Sequence, residues 1–241
     1  MEDKIILKVQ GNVARITLNN PLKLNCIGFE MLRALDHTLN EISENELVRV
    51  LLIQGAGDRS FSTGADLNEY NSLSTKQADE WILTGNRIFN TIAILPIPTV
   101  AFIQGYAIGG GLELALACDF RIGTEKAILS SPELQHGWLP GWGGMTRLRN
   151  LVGEARAKEV VMLNEKISAH EALRLGLLTR ILKEDVEADE LREFLDHLGS
   201  LNPVAVRLAK SALMDAGRTS EGADLQLEIH AMKIAKDNQA S

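Results

Sequence analysis

The chain has 241 residues, 45% of them hydrophobic and 24% charged, with a net charge of −7. Such a chain is long enough to bury a sizeable core, and its acidity argues against non-specific binding to nucleic acid or to an acidic membrane surface. The two cysteines, Cys26 and Cys118, stand far apart and outside any paired motif, which argues against a disulfide framework or a thiolate metal site and suits a reducing compartment.

The N-terminal stretch MEDKIILKVQGN has neither the basic start nor the apolar run of a signal peptide. No apolar run approaches the ~20 residues of a membrane span, so the expected location is the cytoplasm. VARITL (13–18) alternates like a half-buried strand. IGFEMLRALDHTLNEI (27–42) has helical spacing, with Phe29, Leu32, Leu35 and Leu39 on one stripe, and VRVLLIQG (48–55) is a β-branched run closed by glycine. RSFSTGADL (59–67) reads as a polar turn around Gly64. TKQADEWILTGNRIFNTIAIL (75–95) predicts a long helix stopped at Pro96, and PTVAFIQGYAI (98–108) predicts one buried strand. DFRIGTEKAILSS (119–131) predicts two short extended pieces about a turn. The recurrence of strand, helix and strand argues for an α/β layered core.

The last third reads as helical. Ser168 and Glu171 have capping-box spacing with Gly176 as the stop, and Asn202-Pro203 starts a further helix that Gly217 ends. SEGADLQLEIHAMKIAKDN (220–238) predicts one more helix. A break near residue 185 divides a core of residues 1–185 from a helical C-terminal region, 186–241.

The glycine runs do not fit a nucleotide site. A G-x-G-x-x-G fingerprint from Gly109 would need glycine where Leu114 stands, and neither Gly111 nor Gly144 is followed by the lysine of a phosphate loop. HEALR (170–174) offers half of a zinc motif but has Arg174 at the second ligand position, and the five histidines are scattered, so no residue is assigned to a metal. The segment YAIGGGLELALACD (106–119) poses a different question. Glu113 lies in an apolar helical pattern, with Gly109, Gly110, Leu116 and Ala117 one turn away and leucines on either side. Its carboxylate has no polar face to turn toward. Alone it could be half of a buried ion pair, and Glu133 alone could serve a helix dipole.

Three segments together carry a resemblance. Phe-x-x-Gly-Ala-Asp-Leu (61–67), Gly-Gly-Gly-x-Glu-Leu-Ala (109–115) and Pro-Glu-x-x-x-Gly (132–137) resemble the enoyl-CoA hydratase/isomerase, or crotonase, superfamily. NNPLKLNCI (19–27) resembles its early coenzyme A loop and ISAHEALRLGLLTRIL (167–182) its closing strand and helix. The resemblance implies a crotonase-like spiral of β-β-α units with a C-terminal helical region used in assembly. It implies an acyl-CoA thioester held with its carbonyl oxygen on the N–H groups of Ala65 and Gly110, where such donors are worth ~3–4 kcal/mol each in a transition state. Glu113 and Glu133 match the family's acid/base pair for hydration of a 2-trans-enoyl-CoA. Two carboxylates in a dry site cannot both ionise easily, so the pair can supply a base and an acid at neutral pH. Lys23, Leu24, Asp66 and Leu67 match the adenine end, and Trp138, Gly141 and Trp142 the acyl pocket. The tryptophans can also be read as plain core. No metal, flavin or nicotinamide is implied, because coenzyme A is part of the substrate.

The chain departs from the family pattern at Asn68, where many members have a lysine for the coenzyme A nucleotide, and it ends at KDNQAS, before the family's usual closing helix and basic stretch. Double-bond migration, which runs on one glutamate, is the alternative within the family. An RNA-binding branch uses a lysine-studded first helix. Here residues 27–46 carry Glu30, Asp36, Glu41, Glu44 and Glu46 and no lysine. A structural paralogue would have little reason to retain both glutamates. The family's trimers, and dimers of trimers, lead to the same expectation here, since Val204, Leu208, Leu225, Leu227, Ile229 and Ile234 form apolar stripes on the last helices.

Overall fold

A computed structural model of the chain describes residues 3–183 and 187–215. In chain order the elements are β1 (Ile5–Gln10), β2 (Val13–Leu18), α1 (Phe29–Glu44), β3 (Val50–Gly55), β4 (Ser60–Ser62), α2 (Leu67–Asn71), α3 (Thr75–Ile94), β5 (Thr99–Ile103) and β6 (Tyr106–Ile108). They continue with α4 (Gly110–Ala117), β7 (Phe120–Thr124), β8 (Ile128–Ser130), α5 (Gly144–Leu163), β9 (Ile167–Ser168), α6 (Ala169–Arg174), β10 (Arg180–Leu182), α7 (Glu187–Ser200) and α8 (Pro203–Asp215). Gly217 and the helix expected over 220–238, with Leu225, Leu227, Ile229 and Ile234, lie outside the described residues.

The strands form two sheets. The larger has the order β1-β2-β3-β5-β7-β10, with β1 antiparallel to β2 and every other pair parallel. Parallel central strands are covered on both faces and therefore read as unbroken apolar runs. Successive side chains point to opposite faces, and the two faces meet different partners. Leu51 and Ile53 of β3, with Ala101 and Ile103 of β5, join a large core containing Leu32, Leu35 and Leu39 of α1. Val50, Leu52, Val100, Phe102 and Ile122 face the other way and pack with Leu191, Phe194, Leu195 and Leu198 of α7. The smaller sheet is β4-β6-β8-β9, with β4, β6 and β8 mutually parallel.

Three local expectations need correction. The single strand expected over 98–108 is two strands in different sheets. The chain turns at Gly105, where a Cβ would sit 2.2 Å from the Arg59 carbonyl oxygen. The Gln104 amide pins the turn by donating to the carbonyls of Gly55 (2.8 Å) and Gly57 (3.1 Å). The stretch read as a polar turn, 59–67, contains β4, whose Phe61 is fully buried. At Ser168 only half of the capping box forms. Its hydroxyl accepts the Glu171 N–H at 3.4 Å, while the Glu171 carboxylate pairs with Arg174 at 2.6 Å. Elsewhere the stops hold. Gly176 has a φ of +78° after α6, and Asn202 Oδ1 accepts the N–H groups of Val204 and Ala205 at 3.0 Å at the start of α8.

α7 closes the second face of the large sheet. Phe194 stacks edge-on against Phe120 at 5.5 Å, and the Arg180 guanidinium lies over its ring at 4.9 Å. α8 is anchored by Lys210, which bonds Asp119 at 2.7 Å and the Ile97 carbonyl at 3.1 Å. Truncating Phe194 to Ala is expected to cost about 3–5 kcal/mol, the usual range for emptying a buried aromatic site. Chemical denaturation should show that loss in the one transition that also unfolds the sheet. A separate, early transition for α7 with the sheet unaffected would contradict it.

Candidate active site

Each of the three parallel strands of the small sheet ends just before a piece of one cavity. Gly64 and Ala65 follow β4, Gly109 and Gly110 follow β6, and Ser131 and Glu133 follow β8. The cavity, of about 80 Å³, has Ala65, Gly110, Glu113, Glu133, Trp138, Gly141 and Trp142 in its wall, so these sequence-assigned residues converge. Tyr70, Trp81, Ile82 and Leu139 complete the wall. The sequence reading missed these four. Tyr70, Trp81 and Ile82 sit in helical patterns where an aromatic or aliphatic residue looks like ordinary core.

The first two turns meet backbone to backbone. Gly64 has a φ of +80°, and a Cβ on it would lie 2.6 Å from the Gly110 nitrogen. Gly111 is packed the same way, its Cβ direction ending 2.2 Å from the Ser62 carbonyl oxygen. Glycine is required where the chains come this close. Ala65 forms an isolated bridge with Ile27. The bonds of that bridge run from Ile27 N–H to Gly64 O (2.7 Å) and from Asp66 N–H to Ile27 O (3.0 Å), which leaves the Ala65 N–H outside the pairing. Gly110 opens α4, in the first turn, where helical N–H groups lack an intrahelical acceptor. Two backbone donors thus border the same cavity.

Glu113 is one turn further along α4 and only 5% exposed. The expectation that it has no polar neighbour is corrected by the structure. Its Oε1 accepts the backbone N–H groups of Trp142 and Gly144, each at 2.8 Å. Burial pushes its pKa up to about 7. The Gly144 and Trp142 hydrogen bonds and the Arg147 charge pull the other way, while the Glu133 charge adds to the rise. Glu133, 9% exposed, stands at the head of a short 3-10 turn, Glu133–His136. Its Oε2 accepts the Ser131 hydroxyl at 2.7 Å. Its Oε1 is buried with no hydrogen-bond partner among the described residues. A buried acceptor left bare costs about 1–3 kcal/mol, so it calls for a functional account. A Cβ placed on Gly109 would lie 3.3 Å from that oxygen, so glycine leaves room beside it at the α4 turn.

Trp142 and Trp138 differ. Trp142 is buried, edge-on to Trp81 (4.8 Å) and Phe89 (5.1 Å), and belongs to both core and cavity wall. Trp138 is half-buried and packs edge-on against Tyr70 at 4.8 Å, on the cavity's outer side. At the expected adenine end the structure brings Lys23, Leu24, Asp66 and Leu67 together. Lys23 bonds Asp66 Oδ2 at 2.8 Å, and the Leu24 carbonyl accepts the Thr63 N–H at 3.1 Å. Asp66 Oδ1 caps α2 through the N–H groups of Asn68 and Glu69, with Leu67 as the helix's first residue. The Lys23 partnership holds the Asp66 carboxyl below its ordinary range.

Residues 8–240 match the family model for enoyl-CoA hydratase/isomerase. The chain is 35% identical to a short-chain-enoyl-CoA hydratase of Clostridium acetobutylicum over 88% of its length and 81% of that protein's. It superposes on the crystal structure of an enoyl-CoA hydratase from Bacillus anthracis with a TM-score of 0.92 and 34% identity, covering 95% of this chain and 90% of that one. A chain from Thermobifida fusca, solved in complex with acetoacetyl-CoA, superposes with a TM-score of 0.90 at 28% identity, covering 98% and 96%.

The Glu113 shift makes a prediction about stability. Its carboxyl titrates near 4.5 when solvated and near 7 in the fold. Between those values the folded chain holds a proton that the unfolded chain has lost. Stability therefore falls as pH rises from about 4.5 to about 7, and this contribution is flat above. The difference amounts to about 3 kcal/mol. Glu113→Gln removes the titration, so between pH 5 and pH 8 its stability relative to the parent should improve by roughly 2–3 kcal/mol. Denaturant midpoints of the two proteins across that range test it. A pH-independent difference would mean the carboxyl is not shifted.

Proposed function

We propose that this chain, which belongs to the enoyl-CoA hydratase/isomerase family, is a hydro-lyase that adds water reversibly across the C2=C3 bond of a 2-trans-enoyl-CoA. The product is a 3-hydroxyacyl-CoA. One observation carries the reading: two buried glutamates, one from helix α4 and one from the 3-10 turn after β8, face one cavity beside two backbone donors. In the proposed reaction the thioester oxygen rests on the N–H groups of Ala65 and Gly110, which stabilise the negative charge that builds there as water attacks C3. One glutamate takes the proton that water gives up and the other delivers a proton to C2, so Glu113 and Glu133 divide the two transfers. Glu113, titrating near 7, sits where such a group can exchange a proton at neutral pH. Moving a double bond needs only one such group. A second carboxylate with a free oxygen favours water addition.

The chemistry uses proton transfers and carbonyl polarisation alone, so the proposal includes no metal, flavin or nicotinamide, and coenzyme A belongs to the substrate. Lys23, Leu24, Asp66 and Leu67 would meet its adenine end. No described helix is long and apolar enough to cross a membrane, and Cys26 and Cys118 are both free and buried. A reducing compartment suits them, and the cytoplasm is the location we propose. Nucleic acid is not among the partners proposed, because α1 presents acidic residues and no lysine. For assembly we propose a homotrimer or a dimer of trimers. Val204 and Leu208 of α8 are only half-buried, and Leu213 is 78% exposed. Met162 (62%) and Leu163 (59%) at the end of α5 are uncovered as well. Apolar side chains of this size suit a subunit contact.

A spectroscopic assay of 2-enoyl-CoA hydration, run beside one for migration of a 3-enoyl double bond, tests the activity directly. Glu113→Gln and Glu133→Gln should each fold and bind acyl-CoA while hydration falls at least ~10²-fold. Full hydration by either folded variant would remove that residue from the mechanism, and migration without hydration would replace the reaction. Sedimentation at low micromolar concentration tests the assembly. A stable, active monomer would show that these apolar faces need no partner subunit.

A further inference from the structure

The cavity is small because one side chain fills what would extend it. The indole of Trp142 is seated between two glycines on different helices. A Cβ at Gly85, in the middle of α3, would lie 2.2 Å from the indole Nε1 and 2.4 Å from Cε2. A Cβ at Gly110, the first residue of α4, would lie 2.5 Å from Cζ3 and 2.8 Å from Cε3. Both helices have a glycine where the ring rests, and α3 carries its glycine in a helix interior, where that residue is unfavourable. The rings of Trp81 and Phe89 meet the indole edge-on. The backbone of the same residue is fixed too, since its N–H is bonded to Glu113. Ring and main chain are both held, so the indole cannot swing aside for a longer ligand without vacating its slot.

What remains beside it is about 80 Å³. On the hydratase reading, we infer that Trp142, seated on Gly85, is the residue that limits acyl-chain length in this chain. The outer wall, Tyr70, Ile82, Trp138 and Leu139, is the competing determinant, and Leu139 there is 64% exposed.

The test is kcat/KM for 2-trans-enoyl-CoAs of four, six, eight and ten carbons, measured on the full chain and on Trp142→Ala, Trp142→Phe and Trp138→Ala. The ratio of two chain lengths in one sample does not depend on how much of that sample is folded. The parent should favour four carbons over eight by at least ~10-fold, the scale set by one or two misfitting methylenes. Trp142→Ala should raise the eight-to-four ratio by at least ~10-fold, and Trp138→Ala should move it far less. Should Trp142→Ala not accumulate, Trp142→Phe, a smaller ring in the same slot, should shift the ratio in the same direction. Gly85→Ala should lower four-carbon turnover by displacing the indole, and should do so much less when combined with Trp142→Ala. A parent that hydrates eight carbons as well as four, or a ratio unmoved by both Trp142 variants, overturns this inference and leaves the hydratase reading intact. No hydration at any length overturns both.

Discussion

One carboxylate oxygen ties the site together. Glu113 Oε1, on α4, receives the N–H groups of Trp142 and Gly144, from the loop that leads into α5. That contact fixes the loop against α4. A Cβ on Gly144 would lie 2.6 Å from Glu113 Cγ, so only glycine lets the loop approach this closely. Arg147 secures the far side by donating from Nη1 to the Trp142 carbonyl at 2.7 Å, with its guanidinium packed across Gly143, whose φ is +90°. The carboxylate, the loop and the guanidinium form one unit. The burial that would otherwise keep Glu113 neutral is partly offset by the two N–H groups and the nearby positive charge. That balance leaves the Glu113 pKa at about 7, with the Glu133 charge adding to the rise.

Backbone approach is what lets the rest converge. The small sheet delivers its three turns at the carboxyl ends of parallel strands, the end at which open α/β sheets generally bind ligands. The strands are three residues each, so the turns lie next to one another and not at the ends of long arms. Gly64 against Gly110, and Gly111 against Ser62, remove the side chains that would separate them. The large sheet, covered on its second face by α7, holds this arrangement steady. The glycines are therefore packing residues first, and the nearness of Ala65 and Gly110 to one cavity is a consequence of how tightly they pack.

Much of this could be read from the sequence, for identifiable reasons. The central strands and α1 and α3 announce themselves through unbroken apolar runs or a stripe, because burial on two faces or on one leaves those patterns. Glu113 stood out because its neighbours were all apolar. Its partners could not be read, since they are backbone groups 29 and 31 residues away and leave no side-chain signature. The glycine pair Gly143-Gly144 was their only trace. The split of 98–108 between two sheets was hidden for a similar reason, since both strands are apolar and the turn depends on Gly105 meeting a distant carbonyl. Tyr70, Trp81 and Ile82 follow helical spacing, and whether such a residue faces core or cavity is settled only by what packs opposite. Trp142 does both, so the two readings of the tryptophans were never exclusive.

The two glutamates share a chemistry and differ in how they are held. Glu113 has one oxygen fixed by two backbone donors, which leaves Oε2 for other work. Glu133 has Oε2 fixed by the Ser131 hydroxyl, which leaves Oε1 bare in the protein interior. In each case one oxygen sets the orientation and the other is left for the proton transfer proposed for it. A carboxylate held by both oxygens would be rigid but inert, and one held by neither would need to be ordered at each turnover. Holding one oxygen supplies orientation in advance and leaves the other for proton transfer, which is what the proposed hydration asks of a group beside a substrate carbon. The charge of Glu133 also helps to raise the pKa of Glu113. The same cavity that orients the pair therefore raises the proton affinity of Glu113, the group that in the proposed reaction has to hold and pass on a proton.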